Sequence, residues 1–354
     1  MPVPFNVNYP YFNVYAILER SLFIITGAKM RFLSIIALTI GCFQSGYAGC
    51  TPLQLVDRIP LPGVTGRIDH LAMDTMNNRL FVAALGNNSL EVIDLREGKR
   101  IRSIRGLSEP QGVVFLQGPG RLVVSSGGNG ACLVFDAKTL EPVTRLDLRE
   151  DADNLRYHVA GRELFVAYGN GAVGIFNGSF RKVGDIPLPG HPESFAINRD
   201  ASRLFINVPA VRAVVVADIR SRRVIDTWKL RDAGGNFPMA LDETTGLVLV
   251  GARRPSQIIG FDMETGSVAF TVPIDGDPDD IFIDPQRHRI YVSCGAGYLD
   301  VLEWNDSGDY RLLEKIPTAP GARTALFVPE KQRLYLAVPH RGQQGAAVWS
   351  YAIQ

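Results

Sequence analysis

The sequence predicts a seven-bladed β-propeller in which each blade is a sheet of four antiparallel strands. The first observation is one stretch, Asp69 to Leu95, that reads as three short strands separated by turns rich in Asn and Gly, with a fourth strand following at Arg100 to Ile104. The second observation is that this unit recurs along the chain. A four-stranded unit of about forty residues cannot bury both its faces alone, and its repetition is typical of propeller blades.

The period is visible at the residue that opens the second strand of each unit, which we call the anchor. The seven anchors are Leu80, Leu122, Leu164, Leu204, Val248, Ile290 and Leu334. Their spacings are 42, 42, 40, 44, 42 and 44 residues, so the copies stay in register. Seven copies predict one closed array, although a length of 354 residues alone would suggest two domains.

The two ends of the array are predicted to share one blade. The last copy supplies three strands, TALFV, RLYLAV and AAVWSYAI, and residues 53–59 (LQLVDRI) form a strand with no blade of its own. We therefore expect LQLVDRI to be the outer strand of blade seven, because this closure removes the exposed edges of the ring. The propeller would then occupy residues 51–354.

The segment before the propeller has the features of a secretory signal. Met30-Arg31 precedes an apolar run that is too short to span a membrane, and small residues follow near Ala48. We expect residues 30–49 to be a signal peptide and residues 1–29 to be an over-called, disordered start. Two outcomes remain open: cleavage near Ala48 gives a periplasmic or secreted protein, whereas a lipobox-like YAGC gives a lipoprotein anchored at Cys50.

Composition excludes some classes of partner. The net charge is +1, with 46% apolar and 21% charged residues, so no nucleic-acid partner is expected. The mature chain should contain no transmembrane span. Cys132 and Cys294 fall on strands of different blades, and we expect both to be buried as small apolar residues.

The start of the first strand in each blade should line the central channel. Eleven positions before the anchors lie Asp69, Gln111, Asp153, Glu193, Phe237, Asp279 and Arg323. Ten positions before them lie His70, Gly112, Asn154, Ser194, Pro238, Asp280 and Thr324. Adjacent residues on a strand point to opposite faces, so we expect only one set to face the axis fully. The first set contains four acids and one Arg, which makes it the best functional signal in the sequence.

This charged ring is open to two interpretations. The acids either cap strand ends in a wet channel or bind a ligand that is a cation or carries several hydroxyls. As a metal site, Asp69, Asp153, Glu193 and Asp279 would suit Ca²⁺ or Mg²⁺, although no contiguous calcium loop is present and Arg323 would offset part of the charge. A zinc or copper site at His70, His191 and His340 is disfavoured, because these histidines come from three blades without an HxH or HxxxH pair.

Other side chains are predicted to reach the same face. Asn154, Asp280, Arg253, Arg323, His340 and Arg341 complete the predicted ligand-binding set. The arginines indicate an anionic ligand at one side of the channel mouth as an alternative. The chain has no nucleophile elbow, and the candidate general bases are His70 and His191 beside Asp69 or Glu193.

The repeats resemble the YVTN family, the YncE-like β-propellers of the bacterial cell envelope. The resemblance rests on LFVAALGNNSLEVIDL, LFINVPAVRAVVVADI, IYVSCGAGYLDVLEW and LYLAVPHRGQQGAAVW and covers residues 53–354. Blade three (NGAVGIFNGS) and blade five (Arg253-Arg254-Pro255) depart from the pattern. The resemblance implies the fold and the envelope, but its members bind different ligands. We expect an exported binding module for a small molecule or protein, and the alternative is a lactonase-like hydrolase or lyase with a divalent cation.

Overall fold

The computed structural model of the protein describes residues 51–354. The predicted signal peptide, the over-called start and the lipidation site at Cys50 lie outside the described residues. The described chain forms seven antiparallel sheets of four strands each, which confirms the predicted seven-bladed propeller. Within residues 51–354, no helix is both long enough and apolar enough to cross a membrane.

The strands follow one another blade by blade. The chain begins with β1 (Leu53–Pro60). Blade one is β2 (Leu71–Asp74), β3 (Arg79–Ala84), β4 (Ser89–Asp94) and β5 (Lys99–Arg105); blade two is β6 (Pro110–Leu116), β7 (Arg121–Ser126), β8 (Ala131–Asp136) and β9 (Pro142–Asp147); blade three is β10 (Ala152–His158), β11 (Glu163–Tyr168), β12 (Ala172–Phe176) and β13 (Lys182–Pro187); blade four is β14 (Phe195–Ile197), β15 (Arg203–Val208), β16 (Ala213–Asp218) and β17 (Arg223–Lys229).

The remaining three blades repeat this order. Blade five is β18 (Gly234–Asp242), β19 (Leu247–Arg254), β20 (Ser256–Asp262) and β21 (Val268–Pro273); blade six is β22 (Pro278–Asp284), β23 (Arg289–Cys294), β24 (Tyr298–Trp304) and β25 (Tyr310–Pro317); blade seven contributes β26 (Ala325–Val328), β27 (Arg333–Val338) and β28 (Ala347–Ile353). Single 3₁₀ turns occupy Leu85–Asn87, Gly127–Asn129, Pro209–Val211 and Pro329–Lys331 between second and third strands.

The hydrophobic core lies between neighbouring blades. The second strands are apolar on both faces because each is covered by a blade on either side, and Leu80 to Ala84 in β3 are fully buried. One cluster joins Phe81 and Val92 of blade one to Val124 of blade two. The outer strands face solvent and are polar, as in β5 and β9. Cys132 and Cys294 are free and buried, as predicted.

The N-terminal strand closes the ring. β1 pairs antiparallel with β28, from Leu53 opposite Ile353 to Pro60 opposite Ala347, and the sheet order of blade seven is β1-β28-β27-β26. This confirms the predicted closure. The pairing covers the edge of β28, which would otherwise present unpaired N–H and C=O groups.

The inner strands are irregular where they approach the channel. The pairing register shifts between Pro110 and Val113, between Ala152 and Leu155, between Asn236 and Met239, and between Pro278 and Asp280. These bulges lie at the positions counted back from the anchors, and a bulge re-aims side chains that strict alternation would separate.

Candidate functional site at the channel mouth

A cavity of about 270 Å³ occupies one end of the central channel. All seven residues that lie eleven positions before the anchors line it, and so do His70, Asn154 and Ser194 of the neighbouring set. The expectation that only one set faces the axis fully is therefore confirmed, because the first set lines the cavity completely and four members of the second set do not line it. Asn154 lies within the bulge of β10, and His70 and Ser194 precede the first residues of β2 and β14, so strand alternation does not govern these positions.

Blade one contributes a buried acid between two basic groups. Asp69 pairs with the Arg67 guanidinium, and its Oδ1 lies 3.6 Å from Nε2 of His70. Nδ1 of His70 lies 3.6 Å from Oδ1 of Asp280. Burial alone would lower the pKa of His70, but Asp280 and Asp69 outweigh it and raise that pKa to about 10. His70 therefore carries a proton at neutral pH, which does not suit it to the predicted role of general base.

His191 is held in a similar way on the other side of the cavity. Nδ1 of His191 lies 2.6 Å from the carbonyl oxygen of Gly169, and Nε2 lies 3.8 Å from Asp153 and 3.9 Å from Asp151. The nearby Asp153 carboxylate is the main reason that the pKa of His191 rises to about 9, against the opposing effect of burial. His191 is thus also protonated at neutral pH.

Blades five to seven contribute a closed cluster of two arginines and two acids. Arg253 reaches Asp279 at 2.5 Å and Asp277 at 3.1 Å. Arg323 reaches Asp277 at 2.9 Å and Asp279 at 3.1 Å. The Arg253 guanidinium also lies 3.7 Å from the centroid of the Phe237 ring. Both arginines already contact aspartates of the protein, so they are poorly suited to the anionic ligand that the sequence suggested as an alternative.

Glu193 is the exception among the acids that line the cavity. Asp69, Asp153 and Asp279 have basic neighbours, and Asp151 accepts a hydrogen bond from Gln111 at 2.9 Å. The Glu193 side chain accepts no hydrogen bond and forms no ion pair within the described part of the chain. Burial, reinforced by the nearby Asp153 carboxylate, raises the pKa of Glu193 to about 7.

The acids do not assemble into the predicted metal site. Among residues 51–354, no three His, Cys, Asp or Glu side chains form a group that could hold a metal ion. The physical reason is that basic side chains stand between the acids and bind them, as with Arg67 at Asp69 and His191 at Asp153. The donor set therefore fits neither Ca²⁺ or Mg²⁺ nor a zinc ion held by the three histidines.

Three other predicted residues lie outside this cavity. His340 and Arg341 are exposed in the loop after β27 and do not line the channel mouth, and the Arg341 backbone pairs with Gln344. Asp280 lines a second cavity further along the channel, where Oδ2 accepts the N–H of Ala325 at 2.8 Å.

Sequence reasoning missed three residues at the channel mouth, although a signal for them exists. Arg67 and Asp151 line the cavity, and Asp277 completes the arginine cluster. Each lies thirteen positions before an anchor, where His191 also lies. Side chains two residues apart on an extended segment share a face. Counting back thirteen residues from each anchor, in addition to eleven, would therefore have identified these residues.

Comparisons with known proteins identify the fold. No family model matches the chain, and no curated protein matches its sequence. Among solved structures, Kuenenia stuttgartiensis hydrazine synthase matches with a TM-score of 0.69 and 17% identity, over 78% of this chain and 95% of that chain. A chain of the mitotic checkpoint complex matches with a TM-score of 0.73 and 16% identity, over 91% of this chain and 99% of that chain. At such identities the likeness shows the fold alone, a WD40-like seven-bladed β-propeller.

Proposed function

We propose that the protein is an exported binding module that holds a polar, hydrogen-bond-donating group at the channel mouth. The observation that supports this is the Glu193 carboxylate, which lines the cavity without a partner of its own. A partly buried acid without a partner is costly, and a ligand that donates an N–H or O–H to it removes that cost. The cavity volume of about 270 Å³ fits a small molecule or one side chain of a protein ligand.

The charges around the cavity favour a cationic ligand group. Asp151, Asp153 and Glu193 lie on one side with His191 as their basic neighbour, so acids are in excess there. Arg253 and Arg323 on the opposite side are matched by their two aspartates. An amine or a group with several hydroxyls is therefore the ligand chemistry that this side of the channel would recognise.

The proposal is tested by substituting Glu193. Probes are cadaverine, lysine and inositol, screened by thermal shift, with calorimetry on the best binder. Glu193→Gln should weaken binding of an amine roughly ten-fold or more, since charge-assisted hydrogen bonds contribute about 1.5–3 kcal/mol. Its own melting temperature should stay equal or rise, because the change removes repulsion with Asp153.

Two controls make this result interpretable. Glu109→Gln removes an exposed acid that does not line the cavity and should leave binding unchanged. Arg323→Gln should instead lower the melting temperature, because it removes a basic partner from both Asp277 and the buried Asp279. Failure of every probe to bind, or equal binding by Glu193→Gln and the parent, would overturn the proposed function.

A second candidate function is a hydrolase or lyase of the lactonase kind. What favours it is the pKa of Glu193, raised to about 7 by burial and by Asp153, since a general acid or base works best near the ambient pH. The absence of a metal-ligand set among residues 51–354 means that this candidate would rely on Glu193 itself for proton transfer. Turnover of a lactone probe that is lost in Glu193→Gln would favour the enzyme over the binding module.

Export and family membership are also proposals. The repeat sequences support placing the chain with the YVTN-like envelope propellers, and the basic start and apolar run within residues 30–49 support secretion. Protein expressed from Met30 should appear in the envelope fraction without this segment. Intact-mass measurement distinguishes lipidation from simple cleavage. An acylated Cys50 indicates a lipoprotein, and a free N-terminus near Gly49 indicates a periplasmic or secreted protein. An unprocessed chain in the cytoplasm would contradict export.

A further inference from the structure

The channel continues below the charged mouth into a second cavity of about 530 Å³, which we call the vestibule. His70 and Asn154 line both cavities and separate them. The vestibule walls come from the first strands of the blades, where apolar side chains such as Phe195, Met239 and Ile281 are interspersed with polar atoms. The two ends of the channel therefore differ in chemistry, because the mouth is charged and the vestibule combines apolar and polar surface.

One position on these strands carries a single exception. Eight positions before the anchors, six blades have apolar residues: Ala72, Val114, Ala196, Ala240, Phe282 and Leu326. Blade three has Arg156 there. The positions are structurally equivalent, because each residue pairs with the one that follows the anchor, as Arg156 does with Phe165 and Ala240 does with Leu249. Blade three thus places one guanidinium in an otherwise apolar layer.

Arg156 has hydrogen-bond partners but no counterion in contact. Its Nη1 donates to the Leu155 carbonyl at 2.8 Å, and its Nη2 donates to Ser194 Oγ at 3.1 Å. The guanidinium carbon lies 5.4 Å from the Phe195 ring centroid. Arg67, His70, His191, Arg253 and Arg323 of the channel all pair with a carboxylate, whereas Arg156 forms no ion pair with any residue of the described chain.

The other charged groups of the vestibule do not satisfy Arg156. These are His70 and Asp280, which pair with each other at 3.6 Å. The second oxygen of Asp280 accepts the Ala325 N–H. Because His70 is protonated at neutral pH, the vestibule lining carries one excess positive charge. Arg156 remains partly exposed to solvent, and its partial burial without an adjacent acid lowers the pKa of the guanidinium.

We propose that the vestibule binds an aliphatic carboxylate, whose head accepts hydrogen bonds from Arg156 and whose chain packs along the apolar wall. Guanidinium N–H groups match a carboxylate in geometry and charge. The volume of about 530 Å³ lies within the range of ligand cavities and has room for an aliphatic chain such as that of decanoate. This site differs from the proposed site at the channel mouth, because its ligand contacts Arg156 instead of Glu193 and has the opposite charge, although His70 and Asn154 line both cavities.

The test compares three ligands with the same chain and different heads. Decanoate, decanol and decylamine are titrated into the purified mature protein by calorimetry, below their micellar concentrations. We expect decanoate to bind about ten-fold or more tightly than decanol, as a charge-assisted hydrogen bond contributes about 1.5–3 kcal/mol. Decylamine should bind more weakly than either. Arg156→Gln should abolish the preference for decanoate, and Arg156→Lys should keep part of it.

Two further variants keep the proposal falsifiable even if Arg156→Gln fails to fold. Ala240→Leu gives blade five the residue that blade seven has at this position, and it should shift the preferred chain from decanoate towards octanoate by narrowing the vestibule. Glu109→Gln, at an exposed position that lines neither cavity, should leave decanoate binding unchanged. Equal binding of decanoate and decanol, tighter binding of decylamine, no binding of any chain, or an Ala240→Leu variant with unaltered chain preference would overturn the proposal.

Discussion

At the scale of single residues, the count from the anchors predicted which side chains reach the channel but not what they contact. Arg253 bonds to Asp279, 26 residues away in the next blade, and Arg323 bonds to Asp277, 46 residues away. The period fixes the height of a residue along the channel axis. Its partner depends on which neighbouring blade supplies an oppositely charged side chain within reach, and a local pattern does not contain this information.

Glu91 shows the same limit outside the channel. The stretch SLEVIDL alternates between polar and apolar residues, a pattern typical of a strand with one face in solvent. In the structure β4 is buried on both faces, and Glu91 is fully buried. Arg100 reaches the Glu91 carboxylate at 2.9 Å, and Ser89 and Ser103 donate hydrogen bonds to it. The alternating pattern does not correspond to exposure here, because hydrogen bonds from side chains of β4 and β5 replace the hydration of the Glu91 carboxylate.

Asp300 in β24 provides a prediction about pH. It is fully buried, and it accepts the backbone N–H of Asp275 at 2.7 Å. Burial, together with the Asp275 side chain, raises the pKa of Asp300 from its ordinary 3.8 to about 7. The folded protein therefore holds this proton more tightly than the unfolded chain does. Consequently, the free energy of unfolding should fall as the pH rises from about 4 to about 7 and remain lower above that.

Asp300→Asn isolates this contribution, because Asn resembles the protonated acid and does not ionise. Urea unfolding at pH 4 and pH 8 should show the variant close to the parent at pH 4 and roughly 2–4 kcal/mol more stable at pH 8. Asp306→Asn, at an exposed turn, is the matched control and should change neither value by much. A variant that loses as much stability between the two pH values as the parent would contradict this role of Asp300.

At the scale of elements, the strands were predictable and their irregularities were not. Apolar runs such as RLFVAA predicted the second strands because each is covered by two blades. The bulges decide which side chains face the channel, and strict alternation ignores them. A physical signal was nevertheless present in the sequence. Three of the four bulges contain a proline, namely Pro110, Pro238 and Pro278. Proline lacks the N–H that a regular ladder requires, so the hydrogen-bond pattern is missing a donor where it occurs.

At the scale of the whole molecule, repetition made the architecture predictable. Seven anchors with nearly constant spacing define seven blades, and three strands at one end with one at the other define the closure. The kind of ligand is harder to predict from sequence. The channel contains both acidic and basic side chains, and the charge left for a ligand depends on which of them form ion pairs with each other. Glu193 and Arg156 stand out only when the partners of their neighbours are known.

Closure by β1 leads to a prediction about global stability. Leu53 and Ile59 are each about 2% exposed, and β1 covers the whole edge of β28. Fully burying a side chain of this size contributes about 1.5–3 kcal/mol, so deleting residues 51–59 should cost several kcal/mol and lower the melting temperature by many degrees. Thermal unfolding measures the loss, and an unchanged melting curve would show that the ring does not depend on this strand.

A covalent clip tests the same closure in the opposite direction. Gln54 and Ala352 are paired residues of β1 and β28, and cross-strand neighbours are close enough for a disulfide. The combined Gln54→Cys and Ala352→Cys protein, when oxidised, should gain about 2–4 kcal/mol over its reduced form, because the bond restricts almost the whole unfolded propeller. The Gln54→Cys single variant, prepared from residue 51 so that Cys50 is absent, should show no such redox dependence, since Cys132 and Cys294 are buried in other blades. If the oxidised and reduced double variant unfold alike, separation of β1 from β28 is not coupled to unfolding of the ring.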